Sequence, residues 1–284
     1  MYVPGGGLIR LNELAPTLAD SEAKIAEYIL AHPDELLSMT VQELAKQSGG
    51  SPSAVVRLWK SLGFDSFHDF KFRVVSDLQA DVVGGYDELK PGSSFTSVVR
   101  LIEENFIHSI QNTFRLLKET DIEESVDALF EAGRIVIFGV GASSVVAKDL
   151  SQKLSRVGFF NQEATDFHTA ATLAAQLKSS DVLIVVSDSG KTSDIVEVAE
   201  VAKGKGAFIL AITRFGETPL SRLASKCLNI SSIEPDIRIA ATASRISALA
   251  VVDSLFFYLV NHSNRRIFNS LEASRDAVKS HKLS

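Results

Sequence analysis

Residues 182–192 read VLIVVSDSGKT, a run of five aliphatic residues that leads into a turn of serine, glycine and threonine. A continuous aliphatic run of this length, ended by turn residues, is typical of a strand that is buried on both faces of a parallel sheet. The turn then opens a predicted helix. Because a helix N-terminus has unpaired backbone N–H groups and the positive end of the helix dipole, it favours an anion.

A second junction of the same kind lies earlier in the chain. Residues 134–138 read RIVIF and residues 139–144 read GVGASS. In both turns glycine lets the backbone come close to a ligand, and hydroxyl groups donate hydrogen bonds without adding bulk. Two such turns at strand ends of one parallel sheet predict a pocket for a phosphorylated small molecule, because open α/β sheets bind their ligands at that edge.

The second half of the chain continues this alternation of strand and helix. Candidate strands lie at 134–138, 159–164, 182–187, 207–213 and 227–231. Their spacing leaves room for crossover helices, except that the last connection is short, so the predicted fold class is α/β with a doubly wound parallel sheet. Helical patterns at about 96–118 and 121–131 precede the first strand, and two more at 240–260 and 264–280 follow the last.

The first eighty residues carry a different signal, because their periodicity is helical. Residues 40–43, TVQE, have capping-box spacing and open a short helix. Residues 48–50 form a glycine turn, and Ser51-Pro52 starts a second helix that ends near Leu62. This arrangement is the one that seats a second helix in the major groove of DNA. The polar side chains expected to contact DNA are Thr40, Ser51, Ser53, Arg57 and Lys60.

The charge of this region bears on the DNA interpretation. Residues 1–80 carry 7 Lys/Arg against 10 Asp/Glu, a net charge of −3, and residues 40–80 carry 5 against 4. DNA binding therefore requires the basic residues to be segregated on one face. The alternative is a small helical bundle that serves dimerisation or docking. Ala54, Val55 and Leu58 are expected to pack the second helix on its neighbours.

The overall composition excludes several classes of protein. A formal net charge of −6 argues against indiscriminate coating of nucleic acid or anionic membrane. With Cys227 as the only cysteine and six scattered histidines, neither a disulfide framework nor a metal site is expected. The N-terminus lacks the features of a signal peptide, and the longest apolar stretch, 248–260, is too short to span a bilayer. We expect a cytoplasmic protein without a cofactor.

The residues expected to line the predicted pocket are small, hydroxyl-bearing or polar: Gly141, Ser143, Ser144, Ser187, Ser189, Gly190, Lys191, Thr192, His168 and Glu234. Asp188 is expected to face away from a bound phosphate. One alternative for each turn is that its serine only caps a helix. Another takes Gly139-x-Gly141-x-x-Ser144 as a dinucleotide fingerprint, with Glu163 as the ribose-binding acid.

Taken together, the two halves resemble the RpiR/MurR-type bacterial transcriptional regulators over nearly the whole chain. The stretches similar to the family's helix-turn-helix module are 41–45 (VQELA), 51–57 (SPSAVVR) and 62–67 (LGFDSF). Those similar to its sugar isomerase (SIS) domain are 139–143 (GVGAS), 187–192 (SDSGKT), 211–213 (AIT) and 243–249 (ASRISAL). Gly49-Gly50 departs from the family pattern, since it makes the helix-turn-helix connection more glycine-rich than expected.

The resemblance implies a five-stranded, flavodoxin-like SIS fold, a phosphosugar effector, and dimers or tetramers through the sensory domain. It also implies that Ser143, Ser187, Ser189 and Thr192 bind the ligand. The expected organisation is a helix-turn-helix domain at 1–80, a linker at 81–95 and a SIS domain at 96–284.

The expected function is a transcriptional regulator, more specifically a repressor, that binds a palindromic operator and senses a sugar phosphate. No catalytic residue is expected. The alternative function is an aldose–ketose phosphate isomerase with an appended helical domain, in which His168, Glu163 or Glu234 would be the base.

Overall fold

A computed structural model of the chain describes residues 6–79, 90–232, 241–262 and 265–279. Its contacts form two compact units. The first comprises the described residues of Met1–Leu117 and Ile230–Ser244, and the second comprises those of Lys118–Asn229 and Arg245–Ser284.

The first unit is built from helices. They are α1 (Gly7–Leu14), α2 (Asp20–Ala31), α3 (Val41–Gln47), α4 (Pro52–Ser61), α5 (Phe67–Gln79) and α6 (Phe95–Leu116), with short 3-10 turns at Ala15–Thr17 and Glu35–Ser38. The predicted helical character of the N-terminal half is thereby confirmed for the described residues. Ala54, Val55 and Leu58 of α4 are buried, as the sequence predicts.

A buried carboxylate, Asp77 of α5, joins three helices of this unit. Its Oδ1 accepts a hydrogen bond from the Gly6 backbone N–H at 2.8 Å, and its Oδ2 accepts one from the Leu8 N–H at 2.9 Å. Arg115 of α6 donates from Nη1 to Oδ1 at 3.1 Å. Since the Asp77 side chain is fully buried, these bonds replace the water that its charge would otherwise require.

The compact units divide the chain at a different place from the predicted linker. Residues 81–89 of that linker lie outside the described residues. Helix α6, expected to open the second domain, belongs to the first unit because its C-terminal half is buried there and Arg115 pairs with Asp77. Residues Ser231 and Ser232 also belong to the first unit, where the Ser231 hydroxyl and the Ser232 N–H donate to the Glu13 carboxylate.

The remaining elements form the α/β part of the chain. They are α7 (Glu119–Glu131), β1 (Ile135–Gly139), α8 (Ala142–Arg156), β2 (Asn161–Ala164), α9 (Phe167–Ala174), β3 (Val182–Ser187), α10 (Ser193–Gly204), β4 (Phe208–Arg214), α11 (Pro219–Leu223), β5 (Lys226–Ile230), α12 (Thr242–Asn261) and α13 (Arg265–Lys279). The five strands form one sheet in the order β2-β1-β3-β4-β5, with β1 parallel to both β2 and β3 and β3 parallel to β4. The predicted fold class, an N-terminal helical part followed by a five-stranded α/β sheet of flavodoxin-like order, is confirmed.

The central strands are buried on both faces, as their aliphatic sequences predict. All five residues of β1 and all six of β3 are buried. Leu183 and Val185 pack with Val198 and Ala202 of α10 in one core cluster. Cys227 packs against this cluster, and burial raises the pKa of its thiol to about 11.

Helix α12 is longer than the apolar stretch that the sequence delimits. Within the described residues it is the one helix that is long and apolar enough to cross a membrane by length and composition. Its residues Val251, Val252, Leu255 and Leu259 are fully buried inside the protein. Their separations of one, three and four residues place them on one side of the helix, which is the pattern of a helix packed in a protein core.

Candidate functional site

The two hydroxyl-rich turns lie side by side at one edge of the sheet. Strand β1 is hydrogen-bonded to β3, and their register pairs Gly139 with Val186, so both strands end at the same level. The chain order reverses between these two strands, because β2 lies on the far side of β1 and β4 on the far side of β3. Such a reversal opens the crevice in which doubly wound sheets bind ligands.

The first turn presents both a backbone concavity and a hydroxyl. Gly141 is the N-cap of α8, and a Cβ placed on it would meet no atom within 4 Å, so the space above it is open. The Ser143 hydroxyl makes no hydrogen bond within the described part of the chain. The Ser144 hydroxyl donates to the Gly141 carbonyl at 2.7 Å, so its proton is already used inside the turn.

The second turn carries three hydroxyl groups, two of which lie close together. Ser187 Oγ and Thr192 Oγ1 lie 3.5 Å apart across the turn. Ser189 Oγ accepts a hydrogen bond from the Lys191 backbone N–H at 3.2 Å, which leaves the hydroxyl proton of Ser189 available for a ligand. Lys191 itself is exposed.

Helix capping does not account for these hydroxyls. Elsewhere in the chain polar N-cap side chains accept from the first turn of their helix, as Ser51 does for α4, Asp166 for α9 and Thr218 for α11. Thr192 is the N-cap of α10 and makes no capping hydrogen bond, and α8 begins at a glycine. The N-termini of the two helices beside the turns are therefore without the side-chain cap that the alternative requires.

The second turn is fastened to the end of β4. The Asp188 carbonyl accepts from the Arg214 N–H at 3.0 Å and from the Thr213 hydroxyl at 3.3 Å. The Asp188 carboxylate accepts from Arg214 Nη2 at 3.0 Å. An acidic side chain is thereby neutralised by a guanidinium beside the proposed anion site, and it is nearly buried.

Gly190 lies where the second turn packs most closely against β4 and the residues that follow it. Its φ is +61°, and a Cβ there would overlap Thr218 Oγ1 and come within 3.0 Å of Thr213 Oγ1. The Leu220 N–H donates to the Gly190 carbonyl at 3.1 Å. Glycine is thus the residue that this turn accepts. The sequence reasoning did not single out Arg214 and Thr218, although β4 ends next to β3 and any polar residue at its carboxyl end is a candidate on that ground.

Two other predicted pocket residues have different outcomes. His168 is exposed in the first turn of α9, after the edge strand β2, with its ring edge against Phe167. Glu234 lies outside the described residues. Asp166 precedes His168, and the hydrogen bond that it accepts from the Thr169 backbone N–H holds the pKa of its carboxyl below the ordinary value.

The structure gives a reason for both glycines in the connection between α3 and α4. The Gly50 N–H donates to the Ala45 carbonyl and the Gly49 N–H to the Lys46 carbonyl, the pairing of a Schellman cap at the end of α3. Gly49 has a φ of +67°. A Cβ on Gly50 would stand 2.8 Å from Ile25 of α2, so the second glycine lets the turn pack closely on α2.

Helix α4 exposes the polar face that the sequence predicts. Ser51, Ser53, Arg57 and Lys60 are all exposed, whereas the opposite face is buried. Arg57 Nε donates to Glu22 Oε1 of α2 at 2.8 Å, which orients the guanidinium along the surface of the unit. Thr40 forms the predicted capping box with Glu43, and the Thr40 backbone N–H holds the pKa of that carboxyl below its ordinary value.

Comparison with known proteins matches both halves of the chain. Residues 5–81 match the helix-turn-helix domain of the rpiR family, and residues 128–258 match the SIS domain. An uncharacterized HTH-type transcriptional regulator of Bacillus subtilis (strain 168), YbbH, is 36% identical over 98% of this chain and 99% of its own length. The chain belongs to the RpiR family of helix-turn-helix transcriptional regulators.

Solved structures agree with this membership. The NanR protein of Vibrio vulnificus, solved in complex with ManNAc-6P, is 26% identical, covers 98% of this chain and 100% of its own, and has a TM-score of 0.63. A phosphoheptose isomerase from Francisella tularensis covers 60% of this chain and 100% of its own at 18% identity, with a TM-score of 0.52. The second likeness shows that the SIS fold is shared with enzymes.

For an RpiR-family regulator, the two surfaces described above have distinct predicted roles. The exposed face of α4 belongs to the helix-turn-helix match, and the two turns belong to the SIS match. The predicted resemblance is confirmed. The individual DNA-binding and effector-binding residues stay predictions.

Proposed function

We propose that this RpiR-family protein is a repressor that binds operator DNA through α4 and a sugar phosphate at its strand-end pocket. The strand-end pocket is defined here by Gly141, Ser143, Ser187, Ser189, Gly190, Lys191 and Thr192. The observation that carries the proposal is the adjacency of the two turns at the point where the strand order reverses, with hydroxyls that do not cap the neighbouring helices.

The phosphate is expected to lie over the second turn. Ser187, Ser189 and Thr192 supply hydroxyl donors, and the N-terminus of α10 supplies the positive end of a helix dipole. Gly141 and Ser143 bound the opposite wall, where they would meet the sugar. Ser144 is expected to contribute less, because its proton is given to the Gly141 carbonyl.

Comparison with known proteins also supports this class of ligand. The structure of NanR, similar over almost all of both chains, contains ManNAc-6P, an N-acetylated amino sugar phosphate. The SIS match of residues 128–258 supports a sugar phosphate over a dinucleotide for these turns. The proposal therefore starts from hexose and amino-sugar phosphates as the effector class.

We infer that the protein regulates without catalysing isomerisation. The Bacillus subtilis relative YbbH is named a transcriptional regulator, while the likeness to an isomerase is one of fold alone. His168, one of the three candidate bases of the alternative, is exposed in the first turn of α9, after the outer strand β2. Turnover of hexose and pentose phosphates that is abolished by His168→Ala would contradict this inference.

The proposal also covers the oligomeric state of the protein and its cellular compartment. A palindromic operator needs two DNA-binding heads about one helical turn apart, so we propose a dimer or tetramer in the cytoplasm. Footprinting of the upstream DNA with and without a panel of sugar phosphates tests the whole proposal. A protected palindrome that changes with one phosphate ester is expected, and protection that no ester alters would contradict the sensor role.

Ser189→Ala is expected to weaken effector binding by ~1–3 kcal/mol, because a hydroxyl donor to a charged phosphate is lost. Ser144→Ala removes a hydroxyl from the neighbouring turn whose proton is already used, so it is the matched control. Isothermal titration with the effector gives both affinities. Equal losses in the two variants would place the phosphate elsewhere.

Arg57→Ala is expected to weaken operator binding by roughly 1–3 kcal/mol, since the exposed guanidinium on α4 can reach a base edge or a phosphate. The control is Arg275→Ala on α13, which removes the same charge from an exposed position outside the matched helix-turn-helix region. Gel-shift titrations at fixed salt compare them. Unchanged affinity in Arg57→Ala would exclude this residue from the DNA contact.

A further inference from the structure

Arg57, on the exposed face of α4, is paired with an acidic side chain of the same unit. Its Nε donates to Glu22 Oε1 at 2.8 Å, and its Nη2 donates to Ser21 Oγ at 3.4 Å. Both partners lie on α2, 35 and 36 residues away in the chain. The side chain of Arg57 is 56% exposed. An ion pair this exposed contributes little to stability, so stability does not explain its place on the predicted DNA-binding face.

The two helices that carry this pair pack closely on each other. A Cβ on Gly50, in the turn before α4, would stand 2.8 Å from the Ile25 side chain of α2. Ile25 and Leu58 of α4 are both buried in the core of the unit. Glu22 lies in the first turn of α2, where the helix dipole favours a carboxylate, and its side chain is only 14% exposed. The Glu22 carboxylate therefore holds Arg57 from a fixed position.

The contacts with α2 use one side of the Arg57 guanidinium and leave the other side available. Nε and Nη2 donate to Glu22 and Ser21. Nη1 makes no hydrogen bond within the described part of the chain, and Nη2 carries a second N–H group. A planar pair of N–H donors of this kind binds the O6 and N7 acceptors of guanine in the major groove. A guanidinium whose direction is already fixed loses less conformational entropy when it binds.

The charge of the pair distinguishes Arg57 from Lys60, the other basic residue of α4. Among the described residues no carboxylate pairs with Lys60, whose Nζ lies 5.5 Å from the centre of the Trp59 ring. Lys60 therefore keeps its full positive charge for a DNA phosphate. The charge of Arg57 is balanced by Glu22, so the pair adds no net attraction for the phosphate backbone.

We propose that Glu22 is a specificity-determining residue of the operator interface, which fixes Arg57 for reading a guanine and opposes its binding to a phosphate. Lys60 contacts the phosphate backbone instead. Phosphate contacts carry no sequence information, whereas contacts with base edges do. The inference rests on the proposed function, since it requires α4 to bind DNA, and it deepens that function by assigning the base that Arg57 reads.

The ratio of two affinities measures the expected effect. One is the affinity for the operator duplex that footprinting identifies, and the other is that for a duplex of the same length and composition in shuffled order. Glu22→Gln keeps the size of the side chain and removes its charge, so Arg57 becomes free to bind phosphate. The ratio is expected to fall at least about tenfold, and the salt dependence of binding to the shuffled duplex to steepen by about one phosphate contact.

Glu27→Gln is the matched control for this substitution. Glu27 is an exposed residue of α2, and it points about 140° away from Glu22, since each residue turns a helix by about 100°. The control removes the same charge from the same helix and is expected to leave the ratio unchanged. An unchanged ratio in Glu22→Gln, or an equal fall in both variants, would overturn the proposal.

Two substitutions on α4 separate base reading from phosphate binding. Arg57→Lys keeps the charge but loses the planar donor pair, so the ratio is expected to fall at least about tenfold. Lys60→Gln is expected to weaken binding to both duplexes by the same factor, because a phosphate contact is independent of sequence. A parent ratio in Arg57→Lys, or a lowered ratio in Lys60→Gln, would overturn the proposal.

Replacement of each guanine of one half-site by 7-deazaguanine identifies the base. It removes the N7 acceptor and leaves the phosphate backbone unchanged. At one position the replacement is expected to cost the parent chain about tenfold in affinity, and this cost is expected to disappear in Glu22→Gln. A half-site in which no guanine shows this dependence would overturn the inference alone. Absence of operator binding by the parent chain would reject the proposed function, and the inference with it.

Discussion

Gly190→Ala is expected to abolish the response to the effector, with a loss of affinity of at least about a hundredfold. Two causes act together. The φ of +61° is unfavourable for alanine, and the new Cβ would overlap Thr218 Oγ1, which itself caps α11. The turn must move to relieve the overlap, and Ser189 and Thr192 move with it.

The control for this substitution is Gly204→Ala at the end of α10. A Cβ at Gly204 meets nothing within 4 Å, so the same chemical change is expected to be tolerated. Titration calorimetry of both variants with the effector measures the difference, and circular dichroism checks that the sheet persists. Effector affinity in Gly190→Ala equal to that of Gly204→Ala would show that the geometry of the second turn does not set binding.

Asp77→Ala is expected to lower the free energy of unfolding of the first unit by ~3–5 kcal/mol. The substitution leaves the Arg115 guanidinium and the backbone N–H groups of Gly6 and Leu8 without the carboxylate that they share. Removing one partner of a buried charged network costs more than the net worth of the network, because the other groups stay buried and unpaired.

Trp59, the only tryptophan, lies in α4 and therefore reports on the first unit. Its fluorescence during urea unfolding gives the stability of this unit apart from that of the sheet, which matters because multi-domain chains do not unfold in one step. Asp69→Ala is the control, since Asp69 is partly exposed on the same helix and pairs with Arg73. A loss below about 1 kcal/mol for Asp77→Ala, comparable to a surface pair, would contradict the assigned role.

The sheet could be predicted from the sequence because its signals are local. Strands β1 and β3 are aliphatic runs bounded by turns, and their observed bounds, Ile135–Gly139 and Val182–Ser187, lie within one residue of those predicted. The two turns that form the pocket are equally local. Their adjacency also followed, because parallel strands in a doubly wound sheet end at one edge.

The rest depends on contacts between residues far apart in the chain. Nothing near Asp77 indicates that it meets the start of α1 and Arg115, which are 71 and 38 residues away. The same holds for Arg214, which holds Asp188 across 26 residues. Asp188 was expected to face away from a bound phosphate, which stays a prediction, and the guanidinium of Arg214 that pairs with its carboxylate was not foreseen.

The Gly49-Gly50 turn combines a feature that the sequence predicts with one that it does not. Its sequence departs from the family pattern, yet the structure gives each glycine a local cause: a positive φ at Gly49 and a close approach to Ile25 at Gly50. The positive φ of Gly49 can be predicted from a helix-ending motif. The close approach of Gly50 to Ile25 depends on how α2 packs, which the local sequence does not show. A sequence pattern therefore predicts the turn but not the packing that requires its second glycine.

Calorimetric titration of the protein with one amino-sugar 6-phosphate and with the same sugar lacking the phosphate tests the central claim most directly. If the two strand ends form an anion-binding pocket, the ester binds, the parent sugar does not, and a Ser189→Ala, Thr192→Val double variant loses the ester. Equal binding of both sugars, or undiminished binding of an active ester by the double variant, would contradict the account.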